Sequence, residues 1–193
     1  MSAAELSRDN VVAFIADIFK RRGAESYLGE AVSMSEHMLQ GAVLAEQEGA
    51  SDELVAAALL HDIGHYTSEF GTLSLGDERD NYHEEAGAKV LEHFFPPVIV
   101  ECVRLHVAAK RYLCATDTSY YGKLSDASKH TLSLQGGPMS KQEAAEFERN
   151  RFYKEAVRVR LWDDGGKQPG MKTPGFDHYM PLLERVVRQA ADG

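Results

Sequence analysis

The sequence predicts an all-α fold. Apolar residues recur at helical spacing in stretch after stretch, and no segment carries a strong strand signal. Glycine, proline and hydroxyl residues fall between those stretches, where helices stop and start. The run LVAAALLHDIGHY, Leu54 to Tyr66, stays apolar until it ends in His61-Asp62. Helix formers with nothing polar to offer belong inside a core, so this helix delivers an imidazole and a carboxylate to the core boundary. Both are good ligands for a borderline or hard metal ion.

The elements follow in order. Val11, Val12, Phe14, Ile15, Ile18 and Phe19 predict a first helix, capped by Asp9 or Ser7 and ended by Gly23. A short loop then carries Tyr27 and Glu30. Ser35 is expected to cap a helix that holds His37, Gln40, Gly41 and Leu44 and closes at Gly49. Ser51 opens the helix that ends in His61-Asp62. Residues 67–80, polar and aperiodic, are expected as a loop over the site. Asn81 is expected to cap a helix with His83, Gly87 and Val90, and Pro96-Pro97 stops it and starts another. That next helix holds Val98, Ile99, Cys102, Val103, His106 and Lys110; residues 112–121 are expected to be irregular. Ser125 begins a short helix through Leu134, and Gly136-Gly137-Pro138 breaks the chain. Ser140 with Glu143 forms a capping box for a helix with a break near Asn150, ending at Trp162-Asp163-Asp164 and Gly165-Gly166. After a loop over residues 167–175, a last helix holds Met180, Leu182, Leu183, Val186 and Val187.

The 193 residues are read as one domain, with chain enough for a sizeable core. A net charge of −9 argues against nucleic-acid binding, which needs a basic footprint. It still allows a small anionic substrate, because a few local cations outweigh a distant negative surface. Cys102 and Cys114 do not make a disulfide framework. The first ten residues are polar and acidic, unlike a signal peptide, and no apolar run reaches the ~20 residues of a membrane span. No membrane is expected, and the cytoplasm is the default compartment. The oligomeric state is open.

His37, His61, His83 and His106 lie in or at the ends of four different predicted helices, and the tail supplies Asp163. One inward side chain from each of several helices is how bundles build metal sites. With Asp62 the set numbers six donors. That is too many for one ion that keeps an open position, and it suits two ions sharing a carboxylate.

In the order H…HD…H…H…D, these residues resemble the two-metal form of the HD-domain superfamily. The chain is similar over nearly its whole length to the organophosphonate-cleaving oxygenases of that superfamily, the PhnZ and TmpB type. The likeness rests on Tyr27-x-x-Glu30, the run EHMLQGAVLAEQEGA, then HDIGH, Lys110 four residues after His106, and RLWDDGGK. Myo-inositol oxygenase is a more distant relative. The resemblance implies a helical bundle with a dinuclear site in its core, an Fe(II)/Fe(III) pair and O2 as co-substrate. It implies metal ligation by His37, His61, Asp62, His83, His106 and Asp163, and catalytic roles for Tyr27, Glu30, His65 and Lys110. His65 and Lys110 match the family's phosphonate-binding positions, with Ser128 and Arg160 as further contacts. The implied substrate is a small anionic 1-hydroxyphosphonate, foremost (R)-1-hydroxy-2-(trimethylammonio)ethylphosphonate, cleaved to glycine betaine and phosphate. The amino analogue, giving glycine, and a metal-dependent HD phosphohydrolase are the competing readings.

Overall fold

The computed structural model describes residues 6–27, 29–74 and 82–190. Their regular structure is helical: α1 (Val11–Arg22), α2 (Met34–Gln47), α3 (Asp52–Leu60), α4 (His83–Leu91), α5 (Pro97–Thr116), α6 (Tyr120–Lys123), α7 (Asp126–Leu134), α8 (Lys141–Phe147), α9 (Tyr153–Gly165) and α10 (Met180–Gln189). Two 3-10 segments, Ile63–Ser74 and Phe176–His178, join them. Among the described residues the only pairing of extended backbone is an isolated bridge between Ser26 and Ser33.

The apolar run behaves as its composition requires. Leu54 to Leu60 are all buried, and α2, α5, α9 and α10 pack around α3. The helix that ends in His61-Asp62 is therefore the centre of the bundle. Gly64 lets the next ligand-bearing helix approach: a Cβ there would lie 1.8 Å from the carbonyl oxygen of His83, the first residue of α4. Both cysteines are free. No described helix is long and apolar enough to cross a membrane.

Several local expectations are corrected. Ser33, not Ser35, caps α2: its hydroxyl accepts from the Glu36 N–H, and Glu36 accepts from the Ser33 N–H at 2.7 Å. Only Ser33 has a glutamate three residues on, which closes the reciprocal box. Asn10, not Asp9 or Ser7, sits at the N-cap of α1. Residues 67–74, expected as loop, belong to the 3-10 segment Ile63–Ser74, in which Ile63, Tyr66 and Phe70 are buried and Phe70 packs edge-on against Phe14. The rest of that predicted loop, residues 75–80, and the predicted cap Asn81 lie outside the described residues. Helix α5 runs on to Thr116 instead of ending before Tyr112. Its last turns carry Tyr112 against Phe147 and Leu113 and Cys114 against Tyr120, Leu124 and Leu132, and this packing sustains the helix.

Candidate metal centre

Five elements bring the six predicted ligands together. His37 comes from α2, His61 and Asp62 from the end of α3, His83 from the start of α4, His106 from α5 and Asp163 from α9. All are buried except His83, whose side chain is partly exposed.

The six fall into two groups. The Nε2 atoms of His37 and His61 are 2.9 Å apart, and those of His83 and His106 are 3.1 Å apart. Asp62 stands between the pairs. Its Oδ2 lies 3.4 Å from His37 and 3.3 Å from His61, and its Oδ1 lies 3.2 Å from His83 and 3.5 Å from His106. Asp163 joins the first pair alone, with Oδ1 at 3.4 Å from His37 and 3.9 Å from His61.

The outer ring atoms explain the orientation. His61 Nδ1 meets the Ala58 carbonyl at 2.8 Å, His106 Nδ1 the Val103 carbonyl at 2.7 Å, and His37 Nδ1 the Gly166 carbonyl at 2.9 Å. A carbonyl only accepts, so each Nδ1 donates, and each Nε2 faces inward, free to offer a lone pair when its ring is neutral. Two ring nitrogens facing each other at these distances need a proton or a metal ion between them. The carboxylates ask for the same partner: Asp62 Oδ2 and Asp163 Oδ1 are buried without a hydrogen bond. Burial opposes their ionisation, yet His61, His106 and His37 around Asp62, and Arg160 and Lys167 beside Asp163, hold both carboxyls well below the usual range. Burial likewise opposes a charge on His37, but Asp163 and Asp62 outweigh it and push its pKa up to about 9. The residues fit two metal ions with Asp62 shared between them.

Beside the first group lies a cluster of cations. Lys110 is buried on α5 and donates to the Thr131 hydroxyl at 2.9 Å. Lys167 donates to the Ser128 hydroxyl at 2.9 Å and stands 3.5 Å from Asp163 Oδ1. His65 stacks on the His83 ring at 4.4 Å and keeps a buried Nε2 without a hydrogen bond. Tyr27 stacks on the His37 ring at 4.0 Å. Its loop turns at Gly29, where φ is +84°, and Glu30 accepts from the Ser125 hydroxyl at the cap of α7. Arg160, expected at the phosphonate, instead has its guanidinium engaged by Asp163, Asp164 and Tyr120.

The HD domain family profile matches residues 34–163, which span α2 to α9 and carry all six of these side chains. The chain belongs to the HD-domain family. It is 58% identical over 184 residues to 1-hydroxy-2-(trimethylamino)ethylphosphonate dioxygenase (glycine-betaine-forming) of Leisingera caerulea, covering 95% of this chain and 94% of that protein. It is 43% identical over 172 residues to hydroxymethylphosphonate dioxygenase of Gimesia maris, covering 86% and 83%. Within this HD-domain chain, four neighbours of the site escaped the sequence reading: Lys167, Thr131, Tyr120 and Asp164. Asp164 and Lys167 left a signal, as the second aspartate and the last residue of RLWDDGGK.

Proposed function

We propose that this chain is an O2-dependent HD-domain enzyme that cleaves the C–P bond of (R)-1-hydroxy-2-(trimethylammonio)ethylphosphonate, giving glycine betaine and phosphate. The observation that carries the reading is the two-sided Asp62 carboxylate, with a histidine pair at each oxygen and Lys110 and Lys167 nearby. The likeness to the glycine-betaine-forming dioxygenase supports the substrate. Hydroxymethylphosphonate has the same hydroxyl and phosphonate on one carbon but no ammonium arm, so likeness to its dioxygenase supports a site built around that head group.

His37, His61, Asp163 and Asp62 would hold one ion, and His83, His106 and Asp62 the other. Two histidines and one carboxylate with positions left open form the donor set of non-haem Fe(II) oxygenases, which supports iron. An Fe(II)/Fe(III) pair would supply O2 activation and chelation of the substrate's hydroxyl and one phosphonate oxygen. The chain's own residues do the rest. The ammonium groups of Lys110 and Lys167 neutralise the phosphonate, and the hydroxyls of Thr131 and Ser128 keep both cations aimed before it arrives. His65 offers its unpartnered ring nitrogen as a further contact.

Oxygen labelling tests the reaction. With labelled dioxygen, one labelled atom is expected in the carboxylate of the glycine betaine. A phosphohydrolase would take its oxygen from water and place it on phosphate. Turnover under strict anaerobiosis at the aerobic rate would overturn the oxygenase. A substrate panel differing only in N-methylation, scored by phosphate release, separates the trimethylammonio substrate from its amino analogue.

Tyr27 fits the role of a gate. Burial, then the charges of Asp62 and Asp163, keep its phenol protonated, and the ring covers His37. Its hydroxyl, which reaches toward Asp62, stands where O2 would otherwise meet the substrate-free site, and a substrate that displaced it would open that position. Tyr27→Phe is expected to leave metal content unchanged and to speed autoxidation of the substrate-free enzyme several-fold, followed by its visible spectrum. An unchanged spectrum and autoxidation rate would make Tyr27 a packing residue.

A further inference from the structure

Asp163 approaches the site with one oxygen only, and three side chains account for that. Its Oδ2 accepts from Arg160 Nη1 at 2.7 Å, while Oδ1 faces His37 and His61. Arg160 is 4% exposed, so its position depends on what binds its other nitrogens. Asp164 takes them as a fork, with Oδ1 on Nη2 and Oδ2 on Nε at 3.2 Å. The Tyr120 hydroxyl closes the arrangement. It accepts from Arg160 Nε at 3.2 Å and donates to Asp164 Oδ2. Tyr120 is 4% exposed and arrives on α6, a helix of four residues in which it alone is buried.

Such a fork fixes a guanidinium in plane and direction, as a single contact would not. A guanidinium so fixed presents one N–H to Asp163 and stops the carboxylate from rotating to offer both oxygens inward. Among the described residues the His83/His106 side shows no such clamp: no ion pair joins Asp163 to it, and the outer contact recorded there is Glu84, 3.4 Å from His83 Nδ1.

We propose that Tyr120 and Asp164 are positioning residues that clamp Arg160 and so hold Asp163 to one-oxygen ligation, setting the affinity of the His37/His61 metal position without setting that of the His83/His106 position. The proposal rests on the reading of the six side chains as ligands of two ions, and it is independent of the substrate assigned above.

The test is anaerobic titration of metal-free protein with Fe(II), without substrate. Wild type is expected to take up two ions. In Tyr120→Phe and in Asp164→Asn, one ion is expected to bind as in wild type and the other about 10-fold or more weakly, the scale of an outer-sphere change. Metal-free Tyr120→Phe should stay folded at the titration temperature, with a modestly lower unfolding temperature, since a buried hydroxyl with two partners is lost. Because Tyr120 acts only through Asp163, the double variant Tyr120→Phe/Asp163→Asn is expected to bind no more weakly than Asp163→Asn alone. Unchanged affinities in both single variants, equal weakening at both positions, or an additive double variant would each overturn the clamp. Wild type taking up fewer than two ions would overturn the ligand reading itself and the clamp with it.

Discussion

Asp62→Ala is expected to empty both metal positions at once while the protein stays folded. Asp62 is the one side chain that faces all four histidines, giving an oxygen to each pair. Changes one shell further out already cost about 10- to 100-fold in metal affinity. Loss of the shared anionic donor should exceed that at both positions, and C–P cleavage should fall by at least about 1,000-fold on the same reasoning. The scaffold should survive, because His61 and His106 are tied to carbonyls of their own helices and His37 to Gly166, none of which involves Asp62. Metal analysis after dialysis and the unfolding temperature of the metal-free form are the measurements. Asp163→Asn is the contrast, since Asp163 reaches only the His37/His61 pair and should weaken that position alone. Two ions retained in Asp62→Ala would remove the shared carboxylate from the site.

Lys110→Met is expected to keep both ions and lose the substrate. The side chain is nearly the same length, so packing on α5 is preserved while the charge goes. Hydrogen bonds to a charged group contribute roughly 1.5–3 kcal/mol, which is roughly a 10- to 150-fold fall in kcat/KM. The same lysine should leave a mark in the pH profile. Burial first, then the nearby charge of Arg160, with Lys167 adding to it, brings its pKa down to about 8. The ammonium is therefore present below that value and lost as the pH rises through it. Wild-type kcat/KM should fall above about pH 8, and Lys110→Met should lack that limb. A variant that keeps the limb would assign it to another group.

The fold was legible wherever apolar spacing and punctuation agreed. Leu54 to Leu60 had no polar atom to place outside, so their burial and the delivery of His61-Asp62 into the core follow from composition. The four histidines were legible as a set, because each sits on its own apolar-periodic segment. Residues 67–74 were not, since the glycine and hydroxyl residues around Phe70 mask its burial. Nor was the end of α5, where contacts with distant segments outweigh the local signal. Tyr120 and Asp164 lie 44 residues apart and are ordinary residue types, so nothing local marks their meeting. Lys167 follows a turn at Gly166, whose carbonyl holds His37. Its place beside Asp163 depends on how α2 and α9 pack.

The spacing within the histidine pairs also bears on coordination number. On an ion with metal–nitrogen bonds of about 2.1 Å, two donors about 90° apart stand about 3.0 Å from each other, whereas at the tetrahedral angle they stand about 3.4 Å apart. The separations within the histidine pairs, 2.9 Å and 3.1 Å, lie near the first figure, whereas the carboxylate oxygens stand 3.2 Å to 3.9 Å from the same nitrogens, mostly near the second or beyond it. A six-coordinate ion would keep two positions free beside the four protein donors on the Asp163 side and three beside the three donors on the other side. A tetrahedral ion on the Asp163 side would be fully enclosed by protein. The backbone ties on His61 and His106 hold the orientation of one ring in each pair, so the number of positions left free at each ion would follow from the metal that the site takes up.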